Sequence, residues 1–466
     1  MAVAGGNGST LVLTEDGDIA VFGDNVFGEL GLDDKDYHTG VFFLRHQDVF
    51  DGQEVVFVAG STGLSACVTK NGSLWTWGRD LTIGSSEDQT QAGNGKPRRM
   101  SMALHGNSPV LMVACGNNFM LILTAAGRIW SIGSGDSYQL GHGNDKNCAT
   151  PTCIDPAHFD GAEIGMVSAG DSHCMAISKT GGRVWAWGCN DQGASGVGME
   201  HFVKHPTLIP AAELGGSETV FVSCGYDFSM VVTADGVLWS CGNNASKECG
   251  IKDGLMSEKF RRVGGDEYFG AGGVRSVSCG FDHSMILAQN NSLWSCGENQ
   301  YGELGFAPRH DGTAAGAETD GGSDGRPCLV DRQHFNSADT ELLSDNEVHL
   351  VCAGLHESTV LTSGGNVYVC GGDRELYEQF TPQRICCISV RYARAGRWHD
   401  MRRPYTTAFM MGAHAKFAND AAVGGTTPYS GDFPEELLRD IFRQMRFAAR
   451  NKSSQSVKTL LGLHPS

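Results

Sequence analysis

Two stretches of the chain are nearly the same: CGYDFSMVVTADGVLWSCGNNASKECG (Cys224–Gly250) and CGFDHSMILAQNNSLWSCGENQYGELG (Cys279–Gly305). Each has a polar loop, an apolar stretch, a turn, a second apolar stretch and a glycine-rich loop. The glycine at the start of the polar loop, here called the mark glycine, recurs mostly at intervals of 54–56 residues. Repeats of this length indicate a fold built from stacked units. The mark glycines are Gly5, Gly60, Gly116, Gly170, Gly225, Gly280, Gly354 and Gly396.

Each unit predicts a group of short antiparallel strands. Valine, leucine, methionine and tryptophan dominate the apolar stretches, as is typical of buried strands. Pairs such as Asn71-Gly72 and Asp235-Gly236 between these stretches favour tight reversals, because glycine and asparagine tolerate positive φ. With the strand before the mark glycine, a unit of roughly 55 residues holds about four strands, which is typical of a propeller blade.

The number of complete hairpins predicts an all-β propeller of seven blades. A second glycine, here called the closing glycine, ends the last strand of each hairpin. An eighth segment, Ala395–Gly412, has a mark glycine but no closing loop. We expect it to complete a blade with the opposite terminus, which would seal the ring and remove free sheet edges. The closing glycines are Gly23, Gly78, Gly133, Gly188, Gly242, Gly297 and Gly371.

The repeat resembles that of the regulator of chromosome condensation family. The best copies are AGDSHCMAISKTGGRVWAWGCNDQGASG (169–196) and the Cys279–Gly305 stretch, and the first unit ends similarly with VFGDNVFGELG (Val21–Gly31). The resemblance covers roughly residues 2–412 and implies a rigid ring whose rims bind proteins. The founding activity of the family is guanine-nucleotide exchange on the Ran GTPase, in which a wedge and an acidic rim displace the phosphate- and magnesium-binding loops.

Histidine, cysteine and tryptophan recur at equivalent positions, and we predict that these residues are structural. Three histidines lie three residues after a mark glycine and should be hydrogen-bonded struts: His173, His283 and His399. In four other units that position holds Gly8, Gly63, Phe119 and Phe228. The cysteines before mark and closing glycines should be small buried residues. One strand position should pack between blades: Trp75, Trp130, Trp185, Trp239, Trp294 and Tyr368.

Composition and charge narrow the class of protein. The net charge is −18, and residues 1–411 carry −20. An acidic body repels nucleic-acid backbones and anionic lipid, so we expect no direct nucleic-acid binding. No apolar run reaches 18 residues and the N-terminus lacks a basic, apolar leader, so we expect a cytoplasmic or nuclear protein that is neither secreted nor membrane-spanning. We also expect a monomer.

The sequence contains no catalytic or metal-binding signature. There is no P-loop, G-x-S-x-G, H-E-x-x-H or kinase motif. There is no C-x-x-C pair, and Cys148/Cys153 and Cys386-Cys387 lack a second ligand pair at zinc spacing. We therefore predict a protein without enzymatic activity, cofactor or metal, although exchange of nucleotide on a GTPase requires no covalent catalyst and stays open.

Two segments depart from the repeat. Phe306–Pro327, rich in glycine, alanine and aspartate, predicts a flexible loop inserted into the propeller of residues 1–412. After a linker at 413–431, residues 432–466 predict a helical tail capped by Asp432. The tail either packs on the propeller or, because FPEELLRDIF resembles the start of an F-box, recruits the Skp adaptor of a cullin-type ubiquitin ligase. The matching residues are Pro434, Glu436, Leu437, Leu438, Ile441 and Phe442.

Three functions remain open from the sequence. The first is a non-enzymatic scaffold that binds protein partners through its rim loops, where Asp171, Asp227 and Asp282 could line one rim. The second is a ubiquitin-ligase substrate receptor that uses the F-box-like tail. The third is a guanine-nucleotide exchange factor for a Ran-like small GTPase.

Overall fold

Seven antiparallel sheets of four strands surround a central cavity in the part of the chain that the structure describes. The structure is a computed structural model, and it describes residues 2–6, 8–36, 38–79, 95–265, 268–306, 326–331 and 347–372, with the backbone of 383–387. Each sheet is one contiguous stretch of chain whose strands pair in sequence order. The seven-bladed all-β propeller predicted from the repeat is therefore confirmed.

The first strand of every blade lines the cavity and the fourth lies at the circumference. The first strands are β1 (Ala2–Gly5), β5 (Val55–Ser61), β9 (Val110–Gly116), β13 (Ile164–Ala169), β17 (Thr219–Cys224), β21 (Val274–Cys279) and β25 (Val348–Ala353). The second strands are β2 (Ser9–Leu13), β6 (Leu64–Thr69), β10 (Phe119–Thr124), β14 (His173–Ser178), β18 (Phe228–Thr233), β22 (His283–Ala288) and β26 (Glu357–Thr362).

The predicted hairpin consists of the second and third strands. The third strands are β3 (Ile19–Gly23), β7 (Leu74–Gly78), β11 (Ile129–Gly133), β15 (Val184–Cys189), β19 (Leu238–Asn243), β23 (Leu293–Gly297) and β27 (Asn366–Gly371). The fourth strands are β4 (His38–Leu44), β8 (Arg98–Arg99), β12 (Cys148–Cys153), β16 (Phe202–Ile209), β20 (Met256–Arg262), β24 (Cys328–Leu329) and β28 (Gln383–Cys387).

Short helical turns join several blades to the next. These are α1 (His46–Val49) and the 3₁₀ turns Met102–His105, Pro156–Phe159 and Ala211–Leu214. Phenylalanines that end two of these linkers, Phe50 and Phe159, contact the tryptophans of the following blade edge to face. The ring centroids are 5.5 Å apart for Phe50–Trp75 and 5.7 Å for Phe159–Trp185. These two tryptophans are buried together with side chains of the preceding blade, as predicted for inter-blade packing.

The mark glycines let neighbouring blades meet around the cavity. A Cβ atom added to Gly170 would lie 2.2 Å from the carbonyl oxygen of Gly225, and one added to Gly280 would lie 2.4 Å from that of Gly354. Neither glycine has a positive φ, so these positions need glycine for space rather than for backbone conformation. The closing glycines differ, because Gly188 and its equivalents have φ between 84° and 115°.

The predicted histidine struts are confirmed at His173 and His283, which are each 1% exposed. His173 Nε2 lies 2.8 Å from Ser229 Oγ in the next blade, and His283 Nε2 lies 2.9 Å from Ser358 Oγ. Because Ser229 Oγ donates to a backbone carbonyl, it accepts from His173. His399 lies outside the described residues.

In the first two blades the predicted register is wrong by one residue. Gly6 N donates to Ser9 O, as Gly170 N donates to His173 O. Ser61 pairs with Leu64 in the same way. The residues equivalent to the struts are therefore Ser9 and Leu64, not Gly8 and Gly63. The pattern predicts the wrong residue because Gly5 and Gly6 are adjacent, and because the second blade has serine where the others have the mark glycine.

In five blades the residue before the closing glycine points a side-chain donor at a carbonyl oxygen of the preceding blade, and in three of these blades the residue is a cysteine. Trp77 Nε1 donates to Glu29 O at 2.7 Å, and Trp187 Nε1 donates to Gln139 O at 2.9 Å, each across a blade boundary. In later blades a thiol takes the place of the indole and points at the equivalent carbonyl, with Sγ–O distances of 3.4–3.6 Å. These thiols belong to Cys241, Cys296 and Cys370. None of the fourteen cysteines whose side chains the structure describes forms a disulfide bond.

Several predicted features fall on residues that the structure does not describe. The segment 395–412, the linker 413–431 and the tail 432–466 lie outside the described residues, as does 307–325 of the predicted inserted loop. The expectation that 395–412 completes a blade therefore stays a prediction. The first and last sheets each have four strands from their own stretch of chain.

The mark-glycine contact predicts a specific sensitivity to a single methyl group. Gly170→Ala should destabilise the protein by about 2–4 kcal/mol, because the new Cβ overlaps the Gly225 carbonyl oxygen and separates two blades. Gly40→Ala is the control, since its Cβ would meet nothing closer than a Phe42 ring atom at 3.5 Å. Urea unfolding measures both; equal stabilities for the two variants would contradict the proposed contact.

The buried struts predict a loss of stability in mild acid. Burial lowers the pKa of His283 to about 3 and that of His173 to about 4, so both are neutral in the folded protein at pH 7. The unfolded chain takes up protons below pH 6.5, and each strut therefore lowers the free energy of unfolding as pH falls from about 6.5, by up to about 3 kcal/mol.

His283→Phe tests this dependence, because Phe119 and Phe228 occupy the same position in other blades. The variant should lose about 1 kcal/mol at pH 7.5 with the Ser358 hydrogen bond, and its stability should fall less steeply between pH 6.5 and 5. Urea midpoints at the two pH values give the slope. An unchanged slope would mean that His283 is not the titrating group.

Candidate functional site

The loops between first and second strands form one mouth of the central cavity. Backbone hydrogen bonds step from blade to blade around it. Asp171 N donates to Gly225 O at 3.3 Å, Tyr226 N to Gly280 O at 3.1 Å, and Phe281 N to Gly354 O at 3.1 Å. Asp171, Tyr226 and Phe281 consequently hold equivalent positions and line the cavity, whose volume is about 470 Å³.

The three aspartates predicted to line a rim lie on neighbouring blades at this mouth. Asp171 follows its mark glycine directly, whereas Asp227 and Asp282 lie one residue further on. All three are half-buried. Ser172 Oγ donates to Asp171 Oδ2 at 2.8 Å. Asp171 lines the cavity wall, whereas Asp227 and Asp282 lie beside the cavity-lining residues Tyr226 and Phe281.

Burial and mutual repulsion make this cluster costly when it is ionised. The pKa of Asp227 is raised to about 6. Burial is the largest cause, and repulsion from the carboxylates of Asp171, Asp282 and Asp191 adds to it. Burial, followed by repulsion from Glu298, raises the pKa of Asp282 to about 6. Burial also raises the pKa of Asp171, against hydrogen bonds from Ser172 and Asn117. The structure therefore joins the predicted aspartates into one electrostatic unit.

No basic side chain among the described residues forms an ion pair with Asp171, Asp227 or Asp282. Asp191, whose charge also raises the pKa of Asp227, contacts a histidine in solvent, with 2.9 Å between its Oδ1 and His201 Nδ1. Negative charge at this mouth is thus carried by half-buried groups that the described part of the chain does not neutralise.

Aromatic side chains that were not predicted from the sequence continue the rim beside the acids. The Tyr226 and Phe281 ring centroids are 4.0 Å apart, and those of Tyr301 and His356 are 4.6 Å apart. Phe281 and His356 link the two pairs at 6.0 Å. The only sequence signal was an aromatic residue before the aspartate in both CGYDF and CGFDH.

Blades four and five each carry an exposed apolar side chain further out on the same face. The third strands end at this face, because Gly188 pairs with His173 and Gly242 with Phe228 at the start of their second strands. The loops that follow carry Met199, which is 80% exposed, and Leu255, which is 69% exposed. Blades four to six thus present acids, aromatic rings and apolar side chains together, here called the acidic face.

The acidic face has the chemistry of a binding surface. No group of three or more histidine, cysteine, aspartate or glutamate side chains in the described ranges is placed to hold a metal ion. His173 and His283 lie beneath the face, but both are buried against serine hydroxyls of the next blade. Burial raises the pKa of Cys224 and Cys279 to about 12, so these thiols are protonated.

Comparison with known sequences shows where the chain has relatives. The sequence pattern described as the RCC1-like domain matches residues 1–254 and 81–380. The RCC1 domain-containing protein RUG3 of Arabidopsis thaliana, a mitochondrial protein, is 29% identical over 254 residues. That match covers 53% of this chain and 55% of the relative, so the chain spans about half of its length. The mitochondrial location of this relative differs from the cytoplasmic or nuclear location predicted for this chain.

Comparison with solved structures shows the same fold. Human WBSCR16 has a TM-score of 0.64 at 21% identity, covering 79% of this chain and 94% of that one. Prp20p of Saccharomyces cerevisiae, whose structure was described with its binding to Gsp1p and histones, has a TM-score of 0.58 at 22% identity, covering 76% and 80%. Among the described residues, no helix is both long and apolar enough to cross a membrane.

Because the carboxylates of the acidic face are half-buried and repel one another, removing one of them should stabilise the protein. The cost of the Asp227 carboxylate is absent below pH 3.8, where it is protonated in both states, and complete above about pH 6. Asp227→Asn should therefore gain about 1 kcal/mol at pH 7.5 and much less at pH 4. Asp235→Asn, on the hairpin turn of the same blade, is the control. Thermal unfolding at both pH values tests this, and a destabilised Asp227→Asn at pH 7.5 would refute it.

Proposed function

Because this chain belongs to the RCC1-like domain family, whose propeller fold mediates protein interaction, we propose that it is a non-enzymatic scaffold that binds a basic protein segment on its acidic face. The observation that carries the proposal is the cluster of Asp171, Asp227 and Asp282, half-buried and without a cationic partner among the described residues. A function of this kind needs no catalyst, because the rigid ring and the chemistry of its loops suffice.

Electrostatics supports a basic partner. Lysine or arginine side chains entering the cavity mouth would offset the repulsion that raises the pKa of Asp227 and Asp282. The charge of −20 on residues 1–411 would also steer a basic partner toward the body of the propeller. This interaction should weaken as salt increases, since charges near the rim are screened over roughly 8 Å at physiological ionic strength.

The apolar part of the face supports a protein rather than a small cation. Aromatic and methionine side chains are enriched at the centres of protein interfaces, where they exclude water from charged contacts. Tyr226 and Phe281 lie directly beside the acids, and Met199 and Leu255 lie at greater radius. A partner that covers all of them would be larger than one side chain and would bury apolar area as well as charge.

A guanine-nucleotide exchange factor for a Ran-like small GTPase is the first alternative. It is supported by the fold likeness to Prp20p, described with its binding to Gsp1p, and by the acids at the cavity mouth. In this alternative the acidic face would contact the nucleotide-binding region of the GTPase. A GTPase stripped of nucleotide would then bind more tightly than the loaded form.

A substrate receptor of a cullin-type ubiquitin ligase is the second alternative. Its support is the F-box-like pattern of residues 433–442, which the structure does not describe. In this alternative the propeller would hold the substrate and the tail would bind a Skp-like adaptor. It shares the acidic face with the scaffold function and differs in the role of the tail.

Affinity capture with matched variants tests the three functions. A triple variant removes the negative charge that attracts the partner: Asp171→Asn, Asp227→Asn, Asp282→Asn. It should capture about 10-fold less of the partner than the wild-type protein does. Asp235→Asn should retain the partner, since that exposed residue lies on the opposite face. The measurement is quantitative mass spectrometry of the proteins captured from source cells. A partner kept by the triple variant would refute binding at the acidic face.

Two further arms of the same capture distinguish the alternatives. Recovery of a small GTPase in magnesium-chelating buffer, with accelerated release of labelled GDP from the purified GTPase, would establish exchange activity. Recovery of Skp and cullin subunits by the wild-type protein, and its loss in the double variant Leu437→Asp, Ile441→Asp, would establish that the chain is a ligase substrate receptor. Capture that depends on the three aspartates and shows neither result supports the scaffold.

A further inference from the structure

The boundary between the first and last blades closes the ring, and it differs from the other six. The chain itself crosses those six as it passes from one blade to the next, but it does not cross this one within residues 2–387. No described strand pairs across it either, because β1–β4 and β25–β28 form separate sheets. The closure depends on side-chain packing of Val3, Val12, Ala20 and Phe22 against Leu350, Leu361, Val367 and Val369.

A repeated hydrogen bond across the blade boundaries is replaced at this closure. At two other boundaries a histidine strut reaches the serine at the second position of the next blade's second strand. In the last blade the strut position holds Glu357, and the facing position in the first blade is Thr10. Glu357 is 8% exposed, and its Oε1 has no hydrogen-bond partner in the described structure. The Thr10 hydroxyl lies 3.5 Å from Thr359 instead.

A second repeated contact is also replaced. The serine two residues before the mark glycine accepts the backbone N–H of the next blade in three successive blades, at 2.9–3.0 Å. These serines are Ser168, Ser223 and Ser278. The last blade has Cys352 at this position, and its Sγ would lie 3.3 Å from a Cβ added to Gly5. The closure therefore has a thiol in place of the serine hydroxyl, with the backbone N–H of Gly5 against Cys352, and a glutamate in place of the histidine strut found at two other boundaries.

The surroundings of Glu357 favour the neutral carboxyl. The charged group that acts on it is Asp24 of the first blade, which has the same sign as the glutamate carboxylate. Cys352 and Cys370 face it from its own blade, and Glu303 of the sixth blade lies against the same Cys370. Burial, with the charge of Asp24, raises the pKa of Glu357 to about 8.

We propose that Glu357 makes the closure of the ring sensitive to pH, with the neutral carboxyl holding the first and last blades together and the carboxylate loosening them. On ionisation the proton leaves to solvent, and a negative charge remains between two blades beside Asp24. An unpaired buried charge is far more costly than a neutral carboxyl, so the boundary opens to hydrate it. The same loop carries His356, which contacts Tyr301 and Phe281, so opening also displaces the aromatic part of the acidic face.

Hydrogen exchange of the full-length protein, measured by mass spectrometry at pH 6.5 and 8.5, tests the proposal. After division by the intrinsic exchange rates, opening in peptides that cover β1, β2, β25 and β26 should increase about 10- to 30-fold with pH. Glu357→Gln, which keeps the shape and cannot ionise, should abolish the increase. Glu357→His, which restores the residue of the other struts, should abolish it as well and guards against a defect specific to glutamine.

Glu248→Gln is the matched control, because it removes another fully buried carboxyl, in the fifth blade and away from the closure. The control should retain the increase at the closure. Three results would overturn the proposal: no increase in the wild-type protein, an increase that persists in both Glu357 variants, or an increase of equal size in all seven blades. The last would indicate global unfolding rather than opening at one boundary. None of these readouts depends on whether the acidic face binds a partner.

Discussion

The approach of one blade's mark glycine to the carbonyl oxygen of the next is the contact on which the ring depends. At Gly170 and Gly280 an added Cβ atom would lie only 2.2–2.4 Å from a backbone oxygen, so at these two boundaries the blades converge to a separation that a side chain would prevent. The backbone hydrogen bonds around the cavity mouth form only at that separation. This separation positions Asp171, Tyr226 and Phe281, because each directly follows a mark glycine and donates its backbone N–H to the next blade.

The repeat predicted the number of blades and the hairpin in each, because glycine spacing and short apolar stretches are local properties of the chain. It also predicted the histidine struts, since a residue reused at one position indicates a shared structural task. The register of the first two blades was wrong, because Gly5 and Gly6 are adjacent in the first blade and Ser61 takes the place of the mark glycine in the second. Strand pairing resolves the ambiguity, and pairing is not visible in a single sequence.

The candidate site was predicted only in part. The aspartates could be chosen from their place beside the mark glycines, but their shared burial and repulsion arise between blades that are about 55 residues apart in sequence. The contact between Tyr226 and Phe281 arises in the same way. The replacement of tryptophan indoles by cysteine thiols at a blade boundary was not predicted, because the two side chains differ greatly in size and share a donor hydrogen that composition does not reveal. The raised pKa of Asp227 means that its carboxylate disfavours the folded state, and the basic partner that we propose would offset that cost.

Each blade is a single contiguous stretch of chain, and none of the described sheets borrows a strand from the other end. Many ring-shaped proteins are closed by a strand shared between termini, which ties the position of the chain ends to one blade. Here the unit that repeats in the gene is also the unit that folds as a sheet. The ends could therefore be moved to any other blade boundary by circular permutation, with the same seven sheets intact, and duplication of a repeat would add a whole blade rather than a fragment of two.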